Sequence, residues 1–280
     1  MNRTVAFSAQ DKFSLLSIVP FLIITFLIAW SILGAYIFNQ TGMENMFGQL
    51  SGNHPLFFLS VWAPAIAAFT IIGIRSGFTG VKKFMTSVRL WRCSTPWYLL
   101  MFVVIPVVFY MGAALRGTLF TDPLPVSGAI PMLSALLLAA IKGPVEEFGW
   151  RGFALPVMQR TFTPFWAGII LGIIWGLWHL PAFYISGTQQ SAWVFTPFFI
   201  GTITISILAT ALFNASRGSI LLPAILHFQL MNPIWPDAQP YDTYLLLVIA
   251  AVVVWINRKT MFTRNGAVTD VVPQRDSQTV

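Results

Sequence analysis

From residue 14 to residue 257 the chain is a succession of apolar stretches, and this repetition is what most limits its fold. A helix needs about 20 apolar residues, with a range of roughly 17–25, to cross the hydrocarbon core of a bilayer. Stretches of that kind lie at 14–38, 55–75, 96–115, 131–158, 164–184, 193–214, 218–233 and 242–257, the last two being short. Only 9% of the 280 residues are charged and 56% are hydrophobic, whereas a soluble domain carries about 25% charged residues. The expected fold class is therefore all-α, a polytopic membrane helix bundle of about eight spans. Residues 1–257 form a single transmembrane domain in this reading, and the polar segment 258–280 is a flexible cytoplasmic tail.

The net charge is +7, but the basic residues cluster at the ends of apolar runs. That placement reads as topology and excludes a nucleic-acid surface. Arg3 and Lys12 precede the first span. Arg75, Lys82, Lys83, Arg89 and Arg92 fill the second connection, Arg160 the fourth, Arg217 the sixth, and Arg258, Lys259, Arg264 and Arg275 the tail. The odd-numbered connections hold only Arg116 among basic residues, beside Glu44, Asp122, Asp237 and Asp242. Eight spans with both termini cytoplasmic fit this asymmetry. The basic second connection also suits anionic lipid. The first stretch is too long, and lacks the small-residue exit, for a cleaved signal peptide. Cys93, the sole cysteine, rules out an intrachain disulfide and a multi-cysteine metal site.

Few ionisable groups fall inside the spans: Lys142, Glu146, Glu147, Arg151, His179 and His227. Each costs roughly 2.5–3.5 kcal/mol on insertion scales, and function is the default explanation. Glu147 lies 14 residues before Thr161 and His179 lies 16 after Thr163. At about 1.5 Å per residue both stand roughly 20–25 Å from the turn between the fourth and fifth spans, so acid and histidine share a depth. His227, on its own helix, lies about 15 Å from the end at Arg217.

Positions i and i+4 share a helix face, whereas i and i+1 diverge by about 100°. Glu147 and Arg151 are expected to pair, leaving Glu146 as the free carboxylate. Pro144 has no backbone N–H, frees the carbonyl of Ala140 and predicts a kink beside the acids. Lys142 has two readings at this level, a snorkelling lysine or a counter-ion of the carboxylates. Trp150, Trp166, Trp175 and Trp178 read as interface anchors or packing, and His54 as an outer-boundary residue.

On these residues the chain resembles the CAAX protease and bacteriocin-processing family of intramembrane proteases, also called the Abi or type II CAAX prenyl endopeptidase family. The first family motif, Glu-Glu-x-x-x-Arg, stands as Glu146-Glu147-Phe-Gly-Trp-Arg151. The second, Phe-x-x-x-His, appears as Trp175-Gly-Leu-Trp-His179, with tryptophan in place of phenylalanine. The third, His-x-x-x-Asn, is partial: His227 is followed at position four by Met231, and the asparagine comes one later, at Asn232. The resemblance covers roughly residues 131–232.

It implies hydrolysis of a peptide bond within or beside the membrane. Glu146 would accept a proton from water, His179 would hold that water, and His227 with Asn232 would face the oxyanion. Glu147 and Arg151 would support the site. The substrate class is a membrane-associated or lipidated peptide, and the expected mechanism needs no cofactor. The alternative is zinc held by Glu146, His179 and His227, since one carboxylate and two imidazoles also make a catalytic zinc set. Two further alternatives are a non-catalytic immunity protein and a proton-coupled transporter. Retention of both glutamates and both histidines opposes the first, and the lack of a visible inverted repeat opposes the second. Compact length and short loops favour a prokaryotic plasma membrane.

Overall fold

The computed structural model describes residues 13–121 and 128–273, and every regular element among them is helical. Arg3, Lys12, Asp122 and Arg275, which enter the charge asymmetry above, lie outside the described residues. Six helical stretches are long and apolar enough to span a bilayer, at Leu15–Phe38, Ala63–Arg89, Thr95–Arg116, Ala129–Gln159, Pro164–Tyr184 and Phe195–Ala215. Two shorter apolar helices, Leu221–Leu230 and Tyr241–Ile256, occupy the seventh and eighth expected positions. The chain is thus a polytopic helical bundle and an integral, multi-pass membrane protein.

In chain order the helices are α1 (Ile18–Phe38), α2 (Gln40–Phe47), α3 (Pro55–Val61), α4 (Ala63–Met85) and α5 (Thr95–Arg116). They continue with α6 (Ala129–Ile141), α7 (Gly143–Gly149), α8 (Leu155–Gln159), α9 (Pro164–Trp178), α10 (Phe195–Ala215), α11 (Leu221–Leu230), α12 (Tyr241–Ile256) and α13 (Arg258–Met261). The second span differs from its expected bounds of 55–75. The chain breaks at Trp62, so α3 is a separate short helix and the long helix starts at Ala63. His54 caps α3, its Nδ1 accepting the Leu56 N–H at 3.1 Å. Within α4, Gly77 sits at φ 61° and kinks the helix. Glycine alone adopts that region without steric cost.

In lipid, helices gain little by hiding apolar surface from one another, so close packing at small residues decides which neighbours meet. The α9–α10 pair follows this rule. Gly168, Gly172 and Gly176 recur every four residues along α9 and face Thr210, Ile203 and Thr202 of α10. A Cβ at Gly172 would lie 2.6 Å from the Cα of Ile203. The same device seats α7 on α4, where a Cβ at Gly149 would run into the backbone of Pro64. Phe21, Ala67, Ile72, Trp150, Phe153 and Leu171 fill the core between α1, α4, α9 and the acid-bearing segment.

The described part of the polar C-terminal segment lies against the bundle. Val268 and Val271 pack into that same core cluster. Gln159 donates to the carbonyl of Val268 at 2.8 Å, Arg160 to that of Thr269 at 3.1 Å, and the Val268 N–H donates to Asn214 Oδ1 at 2.8 Å. Polar composition suggested mobility, but two valines and three side-chain bonds dock the segment.

Candidate active site

The predicted interruption at Gly143-Pro144 is a clean break. Helix α6 ends at Ile141, Lys142 takes φ −92° and ψ −99°, and α7 restarts at Gly143. A break releases carbonyls from the helical ladder. The carbonyl of Ile141 is recovered by the indole N–H of Trp62 at 2.7 Å. Lys142 forms no ion pair with Glu146 or Glu147. Its Nζ donates to Asn53 Oδ1 at 2.9 Å and lies 5.2 Å from the centroid of the Phe58 ring.

Helix α7 carries both glutamates, and a π-helical turn at Trp150–Ala154 follows it at once. Such turns occur as local bulges inside α-helices, frequently at functional sites. Arg151 Nη1 donates to Glu147 Oε1 at 3.0 Å, so the expected i,i+4 pair is present. Both residues are buried, at 1% and 0% exposure. The same Glu147 oxygen accepts from His227 Nδ1 at 2.7 Å, across from α11. This contact was not expected. It joins the supporting acid to a histidine assigned to the reaction, and it spans 80 residues of sequence.

Glu146 points elsewhere, as the helical geometry requires. Its Oε2 accepts two indole N–H groups, from Trp175 at 2.8 Å and from Trp150 at 3.3 Å. These two tryptophans are therefore more than packing, which corrects their sequence-level reading. Two indoles over a lone buried carboxylate were a readable combination, but their convergence depends on the α7–α9 contact. His179 follows the last residue of α9, and its Nδ1 donates to the Trp175 carbonyl at 2.8 Å. In the neutral ring that bond places the proton on Nδ1 and leaves Nε2 as an acceptor.

Glu146, His179 and His227 all line one cavity of about 390 Å³, together with Trp175, Met231 and Asn232. Neither Glu147 nor Arg151 lines it. Of the two adjacent acids, Glu146 alone faces this cavity. Asn232 is present at the wall, but its amide is largely engaged. Its Nδ2 donates to Gln229 Oε1 at 2.9 Å and its Oδ1 accepts from the Ile234 N–H at 3.1 Å. Gly143 completes the fit between α7 and α11. A Cβ there would stand 2.5 Å from His227 Nε2 and would also collide with Met231 Sδ.

A zinc ion requires three protein ligands converging at about 2 Å from one point. Among the described residues no three His, Cys, Asp or Glu side chains are so arranged. Glu146 Oε2 is engaged by two indoles and His227 Nδ1 by Glu147. The atoms that these bonds leave open, Glu146 Oε1, His179 Nε2 and His227 Nε2, show no such convergence among the described residues.

Two comparisons bear on this arrangement. A family described as Type II CAAX prenyl endopeptidase Rce1-like matches residues 128–232, the segment that holds Glu146, Glu147, Arg151, His179, His227 and Asn232. The chain is also 31% identical, over 189 residues, to CAAX prenyl protease 2 of Methanococcus maripaludis. That match covers 58% of this chain and 69% of the relative. Taken with the membrane bundle and the clustered acids and histidines, these likenesses place the chain in the Rce1-like, type II CAAX prenyl endopeptidase family.

Proposed function

We propose that the chain hydrolyses a peptide bond of a membrane-associated or lipidated peptide, with water activated by Glu146 and His179 and without a metal. One observation carries this reading: Glu146, His179 and His227, from three separate helical segments, open onto the same cavity. The apolar walls of that cavity, among them Phe57, Val61, Phe198 and Leu230, suit aliphatic side chains or a lipid group.

In the proposed reaction Glu146 Oε1 takes one proton from water while His179 Nε2 accepts a hydrogen bond from the hydrogen that stays on the oxygen and so aims it. The oxygen bonds to the scissile carbonyl carbon, and the carbonyl oxygen gains negative charge. His227, held through Nδ1 by Glu147, donates from a protonated Nε2 to that oxyanion. Asn232 retains one amide hydrogen for the same purpose after bonding Gln229. The C–N bond then breaks, and the Glu146 acid returns its proton to the leaving amine.

The test is cleavage of a farnesylated fluorogenic peptide ending in Cys-aliphatic-aliphatic-X by the purified chain in nanodiscs. Glu146→Ala and His179→Ala should each lose about 10²–10⁴-fold in turnover while folding normally. Unchanged turnover in either variant overturns the assignment. A zinc chelator should leave the rate unaltered. Loss of activity with recovery on added zinc favours the metal alternative at Glu146, His179 and His227.

A further inference from the structure

We propose that Trp175 is a positioning residue whose indole N–H turns the Glu146 carboxylate so that Oε1 is presented to the water. This rests on the reading of Glu146 as proton acceptor. The terminal torsion of a glutamate is broad and has no strong preference of its own. A buried carboxylate therefore needs external donors to hold one oxygen towards a reactant. Both donors found here fall on Oε2, and the Trp175 bond is the shorter of the two, at 2.8 Å against 3.3 Å.

Trp175 is itself fixed from several sides and is 4% exposed. The Arg151 guanidinium lies 4.9 Å from its ring centroid, and the imidazoles of His227 and His179 meet it edge-on at 5.2 and 5.5 Å. Its carbonyl orients His179 through Nδ1. One side chain and its own backbone thus touch Glu146, Arg151, His179 and His227. Phenylalanine, the residue of the second family motif at this position, keeps an aromatic ring there and removes only the donor together with the indole's extra bulk.

The experiment uses the full-length chain in nanodiscs, with ultraviolet resonance Raman spectra of wild type and Trp175→Phe. The difference spectrum isolates one indole of the eleven in the chain. A strongly hydrogen-bonded N–H signature is expected, and a free N–H signature overturns the proposal. On the farnesylated peptide, Trp175→Phe should lower kcat about 10–100-fold, the scale of a misplaced reacting group, with KM changed by less than about twofold. Trp150→Phe, which removes the longer bond, should lose less. A Trp175→Phe enzyme with wild-type kcat, or with a loss confined to KM, overturns the positioning role. Glu146→Gln in the same preparation separates the two ideas: turnover by that variant defeats the proton-acceptor reading itself. If wild type leaves this peptide intact, the substrate class fails and the Raman signature alone decides the role of Trp175.

Discussion

Glu147 holds two donors on one oxygen, Arg151 at 3.0 Å and His227 at 2.7 Å. Removing one member of a buried ionic set leaves an uncompensated charge and typically costs about 3–5 kcal/mol. Arg151→Met should accordingly lower the thermal unfolding midpoint in detergent. The double variant Glu147→Gln/Arg151→Met should recover part of that loss, because it removes both charges. A double variant as unstable as the sum of the single ones contradicts the pairing. The Glu147–Arg151 contact was legible because i,i+4 spacing is a property of any helix. The His227–Glu147 and Trp175–Glu146 bonds were not, since they join residues 80 and 29 positions apart, whereas the Trp150–Glu146 bond has the i,i+4 spacing that a helix supplies. The asparagine one residue late was visible in the sequence, and its bonds to Gln229 and Ile234 give the displacement a structural expression.

Short helical pieces, rather than long rods, place these groups. The break at Lys142 and the π-helical turn at Trp150–Ala154 isolate α7, which is pressed between α4 and α11 at Gly149 and Gly143. Gly143→Ala should push His227 and Met231 away, lowering turnover about tenfold or more while the unfolding midpoint shifts modestly. Full activity in that variant contradicts the close fit. Gly172→Ala belongs to the α9–α10 seam and should act the other way round. Overpacking there should cost about 1–3 kcal/mol of stability, measured by thermal unfolding, and an unchanged midpoint speaks against the tight approach. The predicted kink at Pro144 and most spans were readable from composition and proline chemistry. The split of the second span at Trp62 was not, because α3 and α4 are both apolar and hydropathy does not register a backbone break. The glycine series in α9 was a legible small-residue seam that periodicity of apolar residues alone passes over.

At the scale of the molecule, the C-terminal segment closes onto the bundle. Asn214 ties it down by accepting the Val268 N–H and pairing with Gln159. Asn214→Ala should weaken that attachment by about 1–3 kcal/mol and speed limited proteolysis after Met261, and an unaltered cleavage rate contradicts the docking. The bundle in turn delivers acid and histidines to a single cavity, which is the core of the functional claim. The measurement that bears on it most directly is mass spectrometry of peptides released from membranes carrying wild type or Glu146→Gln at equal abundance. The account predicts a set of released peptides in wild type that disappears with Glu146→Gln, and the same peptides released undiminished by Glu146→Gln would contradict it.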